Sequence, residues 1–195
     1  MALKLKFLKY YAWGISQLLI GADEGKQRLH FETLKPSPGA KILDVGCATG
    51  NASEIFKDYA YTGIDVEPDR IRYAQRTYRP GEFAVMDATA LRWPAGAFDQ
   101  ILVTGVLHHL EDDVVDRILA EMRRVLAPGG RALVMEDTAV GFKLNLLGAL
   151  VHLADEGSFI REPVQYRALF ERHFRVARYY QIRSGVCDYE VFVLE

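Results

Sequence analysis

From residue 40 onward the chain alternates between two spacings of its apolar positions. Short β-branched and aliphatic runs read as strands at Lys41 to Val45, Tyr61 to Asp65, Phe83 to Met86, Phe98 to Thr104 and Arg131 to Glu136, and stretches with helical spacing lie between them. That alternation predicts βα units wound into a mostly parallel sheet. Pro68 suits the first turn of a helix over Asp69 to Tyr78, where the N–H that proline lacks has no intrahelical partner to lose. A second helix spans Val114 to Leu126, and Pro128-Gly129-Gly130 ends it and turns the chain into its next strand. Near the end, Phe174 to Ile182 and Val186 to Leu194 flank Arg183-Ser184-Gly185 and predict an antiparallel hairpin.

Two apolar stretches stand outside this alternation. Lys4, Lys6 and Lys9 precede a run from Tyr10 to Ala22 that Gln17 interrupts. It lacks a small-residue cleavage site and is too short to cross a bilayer, so it reads as an amphipathic helix and not as a signal peptide or membrane span. Packing against its own domain is the expected fate, with contact to a membrane surface as the alternative. The second stretch, Val140 to Ala154, carries Phe142, Leu144, Leu146, Leu147, Leu150, Val151 and Leu153 at helix-compatible spacing. With Phe7, Tyr10, Tyr11 and Trp13 it predicts an aromatic and aliphatic enclosure for a small apolar molecule; ordinary core is the plainer reading.

Composition narrows the classes. At 195 residues, half of them apolar and about a quarter charged, the chain can bury one core and reads as a single domain. A formal charge of −2 supplies no overall basic field, so nucleic acid is not an expected partner. Cys47 and Cys187 lie far apart and without metal-ligand spacing, which predicts neither a disulfide framework nor a metal site and fits a reducing cytoplasm.

The chemistry concentrates in Ile42-Leu43-Asp44-Val45-Gly46-Cys47-Ala48-Thr49-Gly50-Asn51, a buried strand running into a loop of small residues and then a helix. Small residues let a ligand approach the backbone, and the N–H groups of such a turn favour an anionic group, a pyrophosphate or an amino-acid carboxylate. Asp65 ends the next strand about 20 residues after the first glycine, where a carboxylate can accept hydrogen bonds from both hydroxyls of a ribose. Asp44 decides between the two ligand classes. It would repel a pyrophosphate and attract the ammonium of a methionine moiety. The glycine fingerprint of dinucleotide sites also fails, because Asn51 takes its third position.

At this point the chain resembles the class I S-adenosylmethionine-dependent methyltransferases, in particular the small-molecule group that modifies quinones, sterols and natural products. The resemblance covers roughly residues 37 to 137. It rests on Leu43 through Gly50, on Gly63-Ile64-Asp65, on Met86-Asp87-Ala88-Thr89-Ala90-Leu91, and on Phe98-Asp99-Gln100-Ile101 through His108-His109-Leu110, followed by Leu126-Ala127-Pro128-Gly129-Gly130. It implies an α/β, Rossmann-like fold with a seven-stranded, mostly parallel sheet and a C-terminal antiparallel hairpin. It implies S-adenosyl-L-methionine as cofactor, with Asp44, Gly46, Cys47, Ala48 and Gly50 around the methionine end, Asp65 on the ribose, Val66 on adenine, Asp87 and Ala88 at its amino edge, and Thr104 at the end of the fourth strand. The chain then divides into an N-terminal helical cap (1–36), a cofactor-binding core (37–137), a substrate-side cap and helix (138–172) and the terminal hairpin (173–195). One position departs from the family pattern: Ala48 stands where a glycine is usual.

The implied reaction is methyl transfer to a small apolar or aromatic molecule. A catalytically silent S-adenosylmethionine-binding protein is the second reading, and an NAD-dependent oxidoreductase the third. His108 and His109 follow the fourth strand at the reactive edge of the sheet, where imidazole can act as a general base near neutral pH. Adjacent residues on a helical turn point about 100° apart, so one of the two, His109 in preference, is expected to face an acceptor. Glu136 and Asp137 are alternatives. Asp99 is expected to order a turn, Cys47 to be a small buried thiol, and Glu111, Asp112 and Asp113 to favour the positive end of the following helix.

Overall fold

The computed structural model describes residues 33–79, 81–137, 159–184 and 187–195. The N-terminal helix expected over Tyr10 to Ala22 and the apolar stretch Val140 to Ala154 lie outside them. The described elements are β1 (Lys41–Val45), β2 (Ala60–Asp65), α1 (Pro68–Thr77), β3 (Glu82–Val85), β4 (Phe98–Thr104), α2 (Asp112–Val125), β5 (Leu126–Asp137), α3 (Pro163–Phe170), β6 (Val176–Ser184) and β7 (Cys187–Leu194). They form one seven-stranded sheet in the order β3-β2-β1-β4-β5-β7-β6. β1 to β5 pair in parallel, and β7 runs antiparallel to both β5 and β6. The parallel sheet with its terminal hairpin is the expected one.

Period 2 in the strands separates two buried faces. Leu43, Val45, Ile101, Val103, Ala132, Val134, Phe192 and Leu194 face one core, closed by Val115, Ile118, Leu119, Met122 and Val125 of α2 and by Tyr166, Leu169 and Phe170 of α3. The α2 set follows the spacing of one helical face, its first turn carries Asp112 and Asp113, and its last carries Arg123 and Arg124, so both ends suit the helix dipole. Ile42, Leu102, Leu133, Met135, Val191 and Val193 face the other core, with Phe56 and with Ile71 and Ala74 of α1.

Two local expectations change. The segment after Gly50 forms only a 3-10 turn over Asn51–Glu54, where a longer helix was expected. Ser53 Oγ donates to Gly50 O at 2.6 Å and Thr49 Oγ1 to Asn51 Oδ1 at 2.9 Å, local bonds of the kind that compete with a helical ladder. At the other end of α2, Pro128-Gly129-Gly130 does not end the helix, which stops at Val125. Leu126 already pairs with Phe98, and Arg131 with Gln100, so the four residues between them bulge from β5.

Phe192 is fully buried among the rings of Tyr166, Phe170 and Tyr179, with centroids 4.9–6.0 Å away. Phe192→Ala should lower stability by about 3–5 kcal/mol, read as a fall in the urea midpoint at unchanged slope.

Candidate active site

The residues expected around a cofactor all fall at the carboxyl ends of four neighbouring strands, β3, β2, β1 and β4. There the β1 loop folds back over the end of β2. The amides of Gly46 and Cys47 both donate to Ile64 O, at 2.8 and 2.9 Å. Gly46 has φ +74°, and a Cβ there would overlap a methyl of Val106 in the loop after β4, so only glycine fits. Ala48 also adopts left-handed backbone, φ +49°, which costs an alanine about 1–2 kcal/mol. Its conformation aims the Ala48 amide at Asp65 Oδ2, 3.0 Å away.

Asp65 is therefore the pin of this loop. Its other oxygen accepts the Glu67 amide at 2.8 Å, and Arg70 lies 3.7 Å from Oδ2. A carboxylate has about four acceptor positions, so both oxygens keep capacity for a ribose. Val66, beside it, is 63% exposed, an uncovered apolar surface next to a buried acid. Met86 N donates to Asp65 O, which brings Asp87 and Ala88 to the same edge. Thr89 donates to Asp87 Oδ1 from both its amide and its hydroxyl, holding that carboxyl below the usual range. Thr104 ends β4 one residue past the pairing of Val103 with Val45, beside the start of the loop.

Asp44 is buried on β1, only 5% exposed. Burial pushes its carboxyl up to about 7; a hydrogen bond from Tyr61 opposes that shift, and the Asp65 charge adds to it. The Tyr61 hydroxyl donates to Asp44 Oδ2 at 2.5 Å. Sequence reasoning missed Tyr61, whose only signal is a phenol two residues before Gly63-Ile64-Asp65, in a strand otherwise read for its apolar positions. Cys47 is the small buried thiol expected: burial first, then the charges of Asp44 and Asp65, push it well up, so it stays protonated.

On the acceptor side the two histidines separate. His108 is buried, at 2% exposure, and its Nδ1 lies 2.8 Å from Glu136 Oε2. Glu136, fully buried at the end of β5, also accepts the amides of Val106 and Leu107 on Oε1 and of His108 on Oε2, at 2.9–3.3 Å. With three N–H donors already on it, the carboxylate acts as an acceptor, which assigns the proton to His108 Nδ1. His109 is exposed. Of the two, His109 alone is open to a ligand, and Glu136 is committed to the turn.

Arg161, not singled out in the sequence, holds the carbonyl side of the same turn. Its guanidinium donates to Leu107 O at 2.7 Å, Leu110 O at 2.6 Å, Phe159 O at 3.1 Å and Asp112 Oδ1 at 2.8 Å, with the residue 5% exposed. Phe159 N donates to His108 O, which places its partly exposed ring near the turn. The acids before α2 thus do more than face its dipole, since Asp112 pairs with Arg161. Asp99 accepts the Lys41 amide at 2.8 Å and orders the far end of the sheet.

Residues 42–130 match the family model described as a methyltransferase domain. The chain is 40% identical over 106 residues to the 2-methyl-6-phytyl-1,4-hydroquinone methyltransferase of Synechocystis sp., covering 51% of this chain and 32% of that protein. It is 32% identical over 127 residues to the demethylmenaquinone methyltransferase of Thermus thermophilus, covering 61% and 57%. The chain thus spans less than two thirds of the length of either relative. A TehB-like S-adenosylmethionine-dependent methyltransferase of Corynebacterium glutamicum shares the fold, with a TM-score of 0.73 over 95% of both chains at 21% identity. Residues 42–130, just under half of the chain, thus resemble a methyltransferase domain, and the described residues share the fold of that neighbour.

Two measurements check this geometry. On the expectation that Asp65 accepts the ribose hydroxyls, Asp65→Ala should weaken binding of S-adenosylhomocysteine by about 10- to 100-fold in a folded protein, since it also releases the Ala48 amide; unchanged affinity by calorimetry would remove Asp65 from the site. Glu136→Ala leaves four buried donors without their acceptor and should cost about 3 kcal/mol or more in urea unfolding, whereas His109→Ala should stay within about 0.5 kcal/mol of the wild type.

Proposed function

We propose that the chain transfers the methyl group of S-adenosylmethionine to a small apolar or aromatic acceptor of the hydroquinone type. The observation that carries the cofactor reading is the pair of buried carboxylates, Asp44 and Asp65, at the ends of β1 and β2. They disfavour a pyrophosphate and suit an ammonium and a ribose. The exposed Val66 offers a surface for the adenine, with Asp87 and Ala88 at its amino edge. Gly46, Cys47, Ala48 and Gly50 line the methionine end, and Thr104 closes it from β4. The acceptor class follows the two quinone-directed relatives. The same reading sets the chain in the cytoplasm.

The bound cofactor supplies an electrophilic methyl group on a sulfonium. The protein's part is mainly proximity and orientation, which in well-aligned reactions account for much of the barrier. His109, exposed on a turn fixed from both sides, would accept the proton of an acceptor hydroxyl and so raise the ring's nucleophilicity toward the methyl group that the cofactor would supply. Phe159 provides an apolar wall beside it. A general base of this kind contributes about 10²–10⁴ in rate.

The test is incubation with labelled S-adenosylmethionine and chemically reduced 1,4-naphthoquinone, a hydroquinone with free ring carbons. Transfer of label to the ring is the expected result. Binding of the cofactor without transfer to this or other hydroquinones would favour the silent binder, and binding of NAD in its place would favour the oxidoreductase. In the active protein, His109→Ala should lower kcat at least about 100-fold while S-adenosylhomocysteine affinity stays unchanged. Full activity would return His109 to the surface and leave orientation as the mechanism.

A further inference from the structure

We infer that Tyr61 is a cofactor-positioning residue: its hydroxyl holds one oxygen of Asp44 so that the other receives the α-ammonium group of S-adenosylmethionine, and a proton leaves Asp44 as the cofactor binds. The inference rests on the cofactor assignment above.

In the β1–β2 register Asp44 stands opposite Gly63, and Tyr61 opposite Ile42. Tyr61 precedes Gly63 by two residues on the same face of β2, and its phenol reaches along the strand by about two residues, roughly 6.6 Å, to Asp44. A Cβ on Gly63 would lie 2.8 Å from Cys47 Sγ and 2.9 Å from Phe83 Cδ1, so the glycine is required by the neighbours that box the phenol in. Phe56 stacks on the Tyr61 ring at 6.2 Å and Phe83 meets it edge-on at 5.9 Å. The ring is 3% exposed.

Asp44 has no cationic partner among the described residues. The groups around it are the Tyr61 phenol on β2, the Asp65 carboxylate at the end of β2, and the Cys47 thiol in the loop; Arg70 of α1 is engaged with Asp65, and Tyr78 acts on Tyr61. A buried carboxyl with one neutral donor is half protonated near pH 7, and an arriving ammonium favours the ionised form. The linkage sign follows. Below about pH 7 the proton must be displaced, so affinity rises with pH by up to about tenfold per unit; above it, affinity levels off. The Tyr61 hydrogen bond favours ionised Asp44, so its loss shifts that levelling to higher pH.

S-adenosylhomocysteine and 5′-methylthioadenosine separate the amino-acid end from the nucleoside, because both carry the ribose and adenine and only the first carries the ammonium. Calorimetric affinities of both would be measured from pH 5.5 to 8.5 in the full chain and in Tyr61→Phe. The expected result is pH-dependent S-adenosylhomocysteine binding in the wild type, with close to one proton released per molecule bound at pH 6. In Tyr61→Phe, affinity at pH 7 falls by about tenfold and the profile shifts upward, while methylthioadenosine binds both proteins alike. S-adenosylhomocysteine binding that ignores both pH and Tyr61→Phe overturns the inference and leaves the cofactor assignment standing. Failure of both ligands to bind overturns the assignment itself. Should Tyr61→Phe not fold, the wild-type proton release and the contrast between the two ligands decide the matter, with Asp44→Asn expected to bind S-adenosylhomocysteine without the pH dependence.

Discussion

The carboxylate of Glu136 is the constraint on which both halves of the site depend. It ends β5 and gathers the amides of Val106, Leu107 and His108, so it fixes the chain that leaves β4 before that chain enters α2. Val106, held this way, packs where a side chain on Gly46 would have to go, which makes the cofactor-side loop follow the acceptor-side turn. Arg161 completes the arrangement from the carbonyl side. A buried anion and a buried cation thus satisfy opposite ends of the same few peptide groups. Apolar residues could stabilise a turn as well, but they would not fix where each peptide points.

The cofactor side works by the opposite use of charge. Asp65 is bonded to two backbone amides and approached by Arg70, and its place in the loop is settled by those contacts. Among the described residues, Asp44 accepts a side-chain hydrogen bond from the Tyr61 phenol alone. The two acids lie together beneath a loop of small residues, and in the reading proposed above their sign favours a methionine-bearing nucleoside over a dinucleotide. The left-handed Ala48 shows how tight the folding-back is, since a methyl group is accepted there at an energetic cost.

Much of this was legible in the sequence. The strand positions, the parallel sheet, the terminal hairpin, and the grouping of Asp44, Gly46 and Asp65 at one edge follow from periodicity and from the spacing of small and acidic residues. The length of the segment after Gly50 did not, because Ser53 and Asn51 satisfy local groups that a helix would have used. Helical spacing already set His108 and His109 apart, with His109 preferred, but it held no reason for the difference. That reason lies in the fold, which brings Glu136 on β5 beside His108 from 28 residues away. Arg161 and Tyr61 were invisible for the same reason, as each acts through partners that only the fold supplies: carbonyls 51 and 54 residues distant for one, and a carboxylate across a glycine gap for the other.

The buried acids then sort by how completely they are satisfied. Glu136, with four donors, has no acceptor capacity left to offer a ligand at comparable strength, and removing it would strand every one of those donors; its work is conformational. Asp44 is equally buried but meets one neutral hydroxyl, so its environment is incomplete in electrostatic terms until a cation arrives. Without a cation such a group is tolerated by taking up a proton, and an arriving cation favours its ionised form instead. The same contrast separates the histidines: His108 is buried with its Nδ1 on Glu136, and His109 is exposed. Degree of satisfaction, more than residue type, separates the parts of this site that hold from the parts that bind.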